Sequence, residues 1–496
     1  MPMQIQLLRD APMGGIGLAP TPHSFAHAHT ASIAVNDIHS QLNTTCVDRV
    51  VAVDSESALR AALAAARAAG KPVCVAGGRH AMGGQQFAAG AVLLDMRPMN
   101  RIISLDRARG IVEAEAGIQW PELIHGLIAM QQDREAAWSI VQKQTGADRL
   151  TLGGALASNI HGRGLTLRPI IADVQSFTLM DGDGKLRTCS RTENGELVRL
   201  AIGGYGLFGV ITRVRLKLMR RAKLERVVRL IAVDELMPAF AQRIADGFLY
   251  GDCQFSTDTS SDTYLRKGVF SCYRPLPPNT PMPAEQKELG EAHWREFYFC
   301  SHADTRRAYE AYISYYLSTT GQRYWSDTHQ LSVYIDDYHA ELDRRLGAAH
   351  KGSEMITELY VPRPALPAFL AAARTDFRQH GAQLIYGTIR LIERDDESFL
   401  AWAREPWVCT VMNLHVDHSA DGIAKAAGDF RRLIDRAVEH GGSYFLTYHR
   451  WASRAQVETC HPHMAEFLRL KRQHDPDEVF QSEWYRHHKR MFADQL

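Results

Sequence analysis

The first half of the chain alternates between hydrophobic patterns of helical period and short apolar runs of the strand type. The stretch SESALRAALAAARAAG (55–70) carries its leucines four residues apart, and we predict a helix that Asp54 begins and Gly70 ends. A second helix is predicted over residues 120–131, and VQSFTLMDGDGKLRTCS (174–190) indicates a hairpin around a glycine-rich turn. Further strands are predicted at 72–76, 92–96, 111–117 and 210–219.

The pattern changes after residue 222. Strand-like runs such as ERVVRLIAV then mix with amphipathic helical stretches such as LPAFLAAARTDFRQHG. A chain of 496 residues exceeds the size of one ordinary core, so we expect two domains, both of the α+β class. The expected divisions are an irregular N-terminal extension (1–43), a first domain (44–222), a second domain (223–445) and a C-terminal segment (446–496).

Composition limits the partners and the compartment. The 57 basic and 56 acidic residues leave a formal net charge of +1, which gives no reason to expect nucleic acid or an anionic membrane as partner. The eight cysteines are scattered without a Cys-x-x-Cys pair, as expected for reduced thiols in a cytoplasmic protein. The first residues show no signal-peptide pattern. No run approaches the ~20 apolar residues that a membrane-spanning helix needs.

Two glycine-rich loops carry most of the functional information. The first, AGGRHAMGGQ (76–85), follows a predicted strand, and its glycines let backbone N–H groups approach a phosphate. The second, TLGGALASNIHGRG (151–164), consists largely of small residues that allow a flat ring or more phosphate to come close. Each loop taken alone is equally compatible with a tight structural turn. Neither fits G-x-G-x-x-G or G-x-x-x-x-G-K-[ST], which argues against a Rossmann dinucleotide site or a Walker site.

The order of four motifs is more specific than any one of them. GGRH, EAEAG, LGGALASNIHG and GGYGLFGVIT follow one another between residues 77 and 212, and this region resembles the FAD-binding domain of the vanillyl-alcohol oxidase/p-cresol methylhydroxylase (PCMH) superfamily. Later, ELYVPR, TIRLIERDD and DPDEVFQSEWYR resemble the branch of alditol oxidases and aldonolactone oxidoreductases, and SNIHGRG also resembles decaprenylphosphoryl-ribose oxidase. The resemblance implies a two-domain α+β fold of the FAD-PCMH type. Its N-terminal domain binds FAD, its C-terminal domain caps the substrate, and the C-terminal segment returns to the flavin.

The resemblance also implies which residues hold FAD. His80 stands where relatives bond the flavin 8α-methyl carbon, so we expect FAD to be covalently bound through His80, and a single link because residues 144–164 contain no cysteine. Ala81 replaces a serine of the usual motif, which puts one phosphate contact in doubt. For His161, a loop histidine bonded to backbone is the alternative. The implied cofactor-binding residues are Ala76, Gly77, Gly78, Arg79, His80, Ala81, Gly84, Gln85, Thr151, Gly153, Gly154, Ala157, Ser158, His161, Gly162, Gly204, Gly209, Val210 and Ile211.

Alcohol oxidation requires that a base take the hydroxyl proton while hydride leaves carbon for flavin N5. Sugar-oxidising relatives place a Glu-x-Arg unit and a lysine around that hydroxyl. Here the unit reads Thr388-Ile389-Arg390, without the carboxylate, and LTYHRW (446–451) contains no lysine. Tyr448, His449 and Arg450 are the natural replacements, with a phenol or an imidazole as base and a guanidinium to stabilise the alkoxide. We expect Tyr448, His449 and Arg390 to line the substrate pocket. A structural salt bridge between Arg390 and Glu358 is the alternative for the arginine.

The predicted function is therefore an FAD-dependent oxidoreductase that oxidises a CH–OH group of a sugar-like or other alcohol substrate. Either oxygen or a carrier could accept the electrons, and the bulk of Ile160 beside the expected flavin ring favours a carrier. Three alternatives remain: a flavin-dependent reductase on the same domain, a noncatalytic nucleotide-binding module, and a metal-dependent hydrolase using His415, Asp417 and His418. We expect no metal site, because residues 415 and 417 of a strand share one face while 418 points away.

Overall fold

The computed structural model describes residues 32–131, 137–333, 335 and 338–496. The strands of the N-terminal part are β1 (Ile33–Val35), β2 (Thr45–Val47), β3 (Arg49–Ala52), β4 (Val73–Ala76), β5 (Val92–Asp95), β6 (Ile102–Asp106), β7 (Ile111–Glu115), β8 (Trp138–Ile140), β9 (Val174–Met180), β10 (Leu186–Ser190) and β11 (Val210–Arg220). Its helices are α1 (Glu56–Ala68), α2 (Trp120–Met130), α3 (Leu152–Ser158) and α4 (Gly195–Ala201).

The rest of the chain supplies a second set of elements. Its strands are β12 (Lys223–Ala232), β13 (Tyr250–Phe255), β14 (Lys267–Pro275), β15 (Arg323–Trp325), β16 (Gly352–Pro362), β17 (Leu384–Ile392), β18 (Trp407–Asp417) and β19 (Ser443–Tyr444). Its helices are α5 (Leu236–Ala245), α6 (Glu291–Ala303), α7 (Thr305–Ser318), α8 (Tyr338–Leu346), α9 (Leu366–His380), α10 (Ala420–Glu439), α11 (Arg454–Cys460), α12 (Met464–His474) and α13 (Glu483–Met491). The mixture of sheets and helices is of the predicted α+β class.

The strands of the N-terminal part pair into three sheets. β1 and β2 pair with each other, and β3, β5 and β4 form a parallel sheet with β5 in the middle. α1 buries Leu59, Leu63 and Ala66, which share one helical face, in a core with Val73 and Leu94 of that parallel sheet. The larger sheet is antiparallel, in the order β10-β9-β11-β7-β6, with β8 paired to β11.

The C-terminal part is built on an antiparallel sheet of eight strands in the order β15-β12-β14-β13-β17-β18-β16-β19. The register puts Glu358 opposite Val411, Val411 opposite Thr388, and Thr388 opposite Gln254. Because side chains alternate between the faces of a strand, every second residue on either side of this row shares its face. The residues that this face contributes to one large cavity are Arg226, Asp252, Gln254, Glu354, Ile356, Glu358, Tyr386, Arg390, Val411 and Asn413. We call this face the sheet floor.

The end of the chain returns to the parallel sheet of β3, β5 and β4. Phe480 forms a parallel bridge with Val73, and the Gln481 N–H donates to the Val73 carbonyl oxygen at 2.8 Å. The Glu483 N–H then donates to the Phe87 carbonyl oxygen at 2.6 Å as α13 begins. The C-terminal segment therefore packs beside the loop that follows β4.

Two expectations about the N-terminal region differ from the structure. The helix after residue 54 begins one residue later than predicted, because Ser55 is its N-cap and accepts a hydrogen bond from the Ala58 N–H at 3.2 Å. The prediction of an irregular segment over 1–43 is wrong for Ile33–Val35, whose backbone pairs with Thr45–Val47. Residues 1–31 lie outside the described residues. The predicted helix at 120–131, the hairpin at 174–190 and the strand after residue 210 are confirmed.

Candidate functional site

A cavity of about 1070 Å³ lies between the glycine-rich loops of the N-terminal part and the sheet floor. Ligand pockets usually have volumes of ~300–1,000 Å³, so this cavity can hold a long molecule and a second, smaller molecule beside it. The loops line it with residues from 75–82, 144–160 and 205–211, and helical segments close it with residues from 294–316 and 329–343.

The loop after β4 packs so tightly on the segment before α3 that only glycine fits. A Cβ atom on Gly77 would lie 2.1 Å from the Thr151 Oγ1 atom, and one on Gly78 would lie 2.0 Å from the Arg149 carbonyl oxygen. Thr151 is the N-cap of α3, and its hydroxyl accepts a hydrogen bond from the Gly154 N–H at 3.2 Å. Because glycines from both loops line the cavity, a phosphate or a flat ring can approach the backbone directly.

Arg79 and His80 present unpartnered nitrogen atoms in this wall. Arg79 has the left-handed φ of +59°, which is uncommon for a residue other than glycine. Its Nε atom and the Nε2 atom of His80 are buried and form no regular hydrogen bond with a described residue. The Nδ1 atom of His80 lies 2.8 Å from the Nε2 atom of His39. Burial and the neighbouring His39 hold the pKa of His80 well below its usual range, so its imidazole is neutral at pH 7.

Glu358 is the most densely bonded polar group of the sheet floor. Its carboxylate is fully buried and accepts hydrogen bonds from the hydroxyls of Tyr448 (2.7 Å) and Tyr360 (2.9 Å), and its Oε2 atom lies 2.8 Å from His161 Nε2. Burial alone would raise the pKa of Glu358, but His161, the charge of Arg390 and the Tyr448 hydrogen bond outweigh burial and lower that pKa to about 2. The carboxylate is therefore ionised at pH 7.

Arg390 lies on the same floor, but two of its nitrogen atoms lack hydrogen-bond partners. Its side chain is 3% exposed, and its Nε and Nη1 atoms have no hydrogen-bond partner among the described residues. The register of β13 and β17, continued by one residue from the pair Cys253–Ile389, puts Asp252 opposite Arg390. The alternative for Arg390, a salt bridge with Glu358, does not form, since the Glu358 oxygens are held by other donors. Arg390 thus offers free donors to the cavity.

The cavity gathers most of the residues that the sequence marked as functional. Gly84, His161, Gly162, Gly204 and His449 are not on its wall. The marked residues that line it are Ala76, Gly77, Gly78, Arg79, His80, Ala81, Gln85, Thr151, Gly153, Gly154, Ala157, Ser158, Gly209, Val210, Ile211, Arg390 and Tyr448.

Packing explains where the other marked residues lie. A Cβ atom on Gly84 would lie 3.1 Å from the Glu483 Cβ atom, so this glycine lets its loop approach α13. A Cβ atom on Gly204 would lie 1.9 Å from the Leu200 carbonyl oxygen, so this glycine lets the chain turn tightly after α4. The Gly162 N–H donates to Gln142 Oε1 at 3.1 Å. His161 sits behind the wall, where its Nδ1 atom is 3.0 Å from the Gly162 carbonyl oxygen and its Nε2 atom meets Glu358.

His449 does not join Tyr448 at the cavity. Its ring stacks on Trp451 with 4.0 Å between centroids and an angle of 7°, and its side chain is buried beside Phe430. Burial lowers the pKa of His449 to about 4. Arg450 likewise faces away from the cavity wall and pairs with Glu483 at 3.8 Å. Neighbouring residues in this irregular segment point in different directions, which the sequence pattern could not reveal.

The side chains of residues 417 and 418 make separate contacts. His418 Nε2 lies 2.7 Å from Ser353 Oγ, whereas the Asp417 carboxylate accepts a hydrogen bond from the Ser419 N–H at 2.6 Å. Among the described residues, the one group with ligand-like spacing is His161, Glu358 and Cys409. The Glu358 oxygens in that group already accept hydrogen bonds, so the group is better described as a hydrogen-bond network.

Two residues of the site carried weaker signals in the sequence. Glu358 begins the ELYVPR motif, and we considered it only as a partner of Arg390. His39 lies in the segment expected to be irregular, yet it lines the cavity and contacts His80. A long-range contact of this kind has no signature in local periodicity.

Comparison with known proteins identifies a domain in the N-terminal part of the chain. The family model described as an FAD binding domain matches residues 47–190. An uncharacterised oxidoreductase of the fasciation locus of Rhodococcoides fascians is 30% identical over 217 residues, which are 42% of this chain and 47% of that protein. Cytokinin dehydrogenase 1 of Oryza sativa subsp. japonica is 35% identical over 191 residues (36% and 34%), and cytokinin dehydrogenase 3 of Arabidopsis thaliana is 30% identical over 167 residues (33% and 31%). The chain thus spans about a third to a half of the length of these relatives.

These matches confirm that the N-terminal part contains an FAD-binding domain, that FAD is the cofactor, and that this domain is of the kind found in FAD-linked oxidoreductases. The cavity fits FAD on structural grounds as well, because the glycine cradle and the unpartnered Arg79 and His80 nitrogens line its wall. Within the described residues, no helix combines the length and apolar character needed to cross a bilayer.

Proposed function

We propose that the protein is an FAD-dependent oxidoreductase that oxidises a CH–OH group to a carbonyl. One observation carries the proposal: the Tyr448 hydroxyl lies on the cavity wall, bonded to the ionised Glu358, and Arg390 on the same wall has Nε and Nη1 atoms without a hydrogen-bond partner among the described residues. Oxidation of a hydroxyl group requires removal of a proton and a hydride. A proton acceptor and a cation that face the two glycine-rich loops meet this requirement.

In this proposal the substrate loses one hydride from carbon and one proton from oxygen. FAD, when bound, supplies the acceptor for the hydride at N5. The Tyr448 oxygen accepts the substrate hydroxyl proton as its own proton moves along the hydrogen bond to Glu358, which is a transient acceptor because the pKa of this carboxyl is about 2. His161, held against the other Glu358 oxygen, positions the carboxylate. Arg390 stabilises the negative charge that develops on the substrate oxygen.

We further propose that FAD is attached covalently through His80. Such a link would be a C–N bond in place of the imidazole N–H and one C–H of the 8α-methyl group. The two electrons and two protons lost would reduce the flavin itself, which oxygen or a carrier would then reoxidise. The Nε2 atom of His80 has no regular hydrogen-bond partner among the described residues, while His39 orients the ring through Nδ1. Denatured wild-type protein should show flavin fluorescence on a gel, and His80→Ala should show none. Release of all flavin from denatured wild type would disprove the link.

The domain division stays part of the proposal. Residues 44–222 together with 446–496 would form the FAD-binding unit, and 223–445 would cap the substrate. The bridge between Phe480 and Val73 supports the return of the C-terminal segment. Hydrogen exchange with and without flavin should protect the N-terminal loops, and protection confined to 223–445 would contradict this division.

The names of the relatives favour a second candidate, dehydrogenation of a cytokinin. The matches cover about a third of this chain, so they leave its substrate open. An anaerobic screen separates the candidates, because a substrate bleaches the flavin absorbance near ~450 nm. We expect bleaching by a polyol or another hydroxyl compound. Bleaching by a cytokinin alone would favour the second candidate, and bleaching by a reduced nicotinamide alone would favour a reductase.

A further inference from the structure

Arginines are concentrated at one end of the sheet floor. Arg226 of β12, Arg390 of β17 and Arg163 from the loop after α3 all line the cavity. The Gly251 N–H donates to the Arg163 carbonyl oxygen at 2.9 Å, which brings the α3 loop to the strand that carries Asp252. The guanidinium of Arg163 lies 3.7 Å from the Asp252 carboxylate. Asp252 in turn lies opposite Arg390 in the pairing of β13 with β17.

The positive charge at this end is only partly balanced. The described carboxylates of the cavity wall nearest to the arginines are Asp252 and Glu358, and Glu358 is already bonded to Tyr448, Tyr360 and His161. Three arginines against two carboxylates leave one positive charge. Lys143 adds none, because its ammonium is paired with Asp148 at 2.5 Å.

Free donors are found on two of the three arginines. Nε and Nη1 of Arg390 and Nε of Arg163 are buried without a partner among the described residues. Arg226 differs, since its Nε donates to the Tyr273 hydroxyl and its Nη1 to the Thr319 hydroxyl, both at 3.0 Å. Buried guanidinium donors without acceptors cost free energy, so their persistence at a cavity indicates a ligand that accepts from them.

We propose that this end of the cavity binds a carboxylate of the substrate, with Arg163 and Arg390 as its hydrogen-bond donors and Arg226 as an additional charge. The inference rests on the proposed function, because it names the class of hydroxyl substrate that is oxidised. A carboxylate matches a single excess charge and the planar fork of an arginine, whereas a phosphate dianion would exceed that charge. Three tyrosines also line the cavity: Tyr312, Tyr316 and Tyr386.

The test uses three six-carbon probes that differ in one group: gluconate, the neutral alditol sorbitol, and sorbitol 6-phosphate. Binding to the oxidised holoenzyme is followed by the change in the flavin spectrum and by calorimetry, and the rate of anaerobic flavin reduction is measured separately. The variants are Arg163→Gln and Arg163→Lys, with Arg229→Gln as the control. Arg229 is exposed and lies an odd number of residues from Arg226, on the other face of β12.

We expect gluconate to bind at least tenfold more tightly than sorbitol. Arg163→Gln should abolish that preference, Arg163→Lys should keep part of it, and Arg229→Gln should retain it. Equal binding of gluconate and sorbitol, no binding of gluconate, or a preference that survives in Arg163→Gln would overturn the proposal. Tighter binding of sorbitol 6-phosphate would overturn the carboxylate assignment, and loss of FAD in Arg163→Gln would assign the arginine to the cofactor.

The two proposals fail in different ways. An arginine-dependent preference for gluconate without flavin reduction by any hydroxyl compound would support the anion site and contradict alcohol oxidation. Flavin reduction by neutral alcohols at rates that Arg163→Gln does not change would support alcohol oxidation and contradict the anion site.

Discussion

The two walls of the cavity are built in opposite ways. The loop wall consists mainly of glycine, alanine, serine and threonine from a few continuous segments, and it offers backbone to a ligand. The sheet floor consists mainly of polar side chains from strands spread between residues 226 and 413. A cofactor shared by many enzymes can be held by backbone geometry, whereas a particular substrate must be distinguished by side chains. The comparison predicts that changes in the loop wall affect cofactor retention and changes in the floor affect reaction with substrate.

The largest effect is expected from Gly78→Ala. Its Cβ atom would lie 2.0 Å from the Arg149 carbonyl oxygen, so the two FAD loops would have to move apart. We expect the variant to lose FAD, measured as the ratio of visible to ultraviolet absorbance. Gly195→Ala is the matched control, because the nearest atom to its new Cβ is 3.8 Å away. Full flavin content in Gly78→Ala would contradict the tight packing.

The next effect concerns the floor. Tyr448→Phe removes the hydroxyl that faces the cavity and leaves Glu358 with one donor fewer. We expect anaerobic flavin reduction to slow by roughly 10²–10⁴-fold, the usual contribution of acid–base catalysis, with FAD content unchanged.

His449→Gln is the control for that variant, since the His449 side chain is next to Tyr448 in the sequence but stacks on Trp451 away from the cavity. It should reduce within a few-fold of the wild-type rate. Equal slowing in both variants would mean that the segment matters through its packing and not through the Tyr448 hydroxyl.

A third prediction concerns stability against acid. Folding lowers the pKa of Glu358 from 4.5 to about 2, so its contribution to stability is fully present above pH 4.5 and is lost as the pH falls towards 2. At ~1.4 kcal/mol per pKa unit, the contribution is on the order of 3 kcal/mol.

Denaturant unfolding at several pH values measures that contribution. The free energy of unfolding of Glu358→Gln should fall less steeply than that of wild type between pH 4.5 and 2. Glu405→Gln, a change at an exposed carboxylate, should follow the wild type. Parallel curves for wild type and Glu358→Gln would show that the network does not stabilise the ionised carboxylate.

The smallest effect is expected at Ile160, which lines the cavity and is 2% exposed. If its side chain blocks oxygen from the reduced flavin, Ile160→Ala should be reoxidised a few-fold faster than wild type after mixing with air-saturated buffer. Ile160→Val, which keeps the branch, should change little. Fast reoxidation of wild type without a gain in Ile160→Ala would show that oxygen is the acceptor and that Ile160 does not control its access.

The sequence alone marked the residues of the loop wall as cofactor candidates, through the order of its motifs and their resemblance to FAD-binding domains. Gly77, Gly78, Thr151, Gly153 and Gly154 lie in short continuous motifs whose conformational demands can be read residue by residue. The strand after residue 210 and the hairpin at 174–190 were likewise predictable, because side-chain alternation and turn residues act over a few positions.

Only the tertiary structure decided the floor. The pairing of β16, β18, β17 and β13 brings Glu358, Arg390 and Asp252 onto one face, although up to 138 positions separate them in the sequence. Side-chain contacts that no strand pattern encodes bind Glu358 to Tyr448 and leave Nε and Nη1 of Arg390 without a hydrogen-bond partner among the described residues. Sequence motifs marked Arg390 and Tyr448 as candidates. Their protonation and hydrogen bonding depend on burial and on neighbours distant in the chain, which local patterns do not encode.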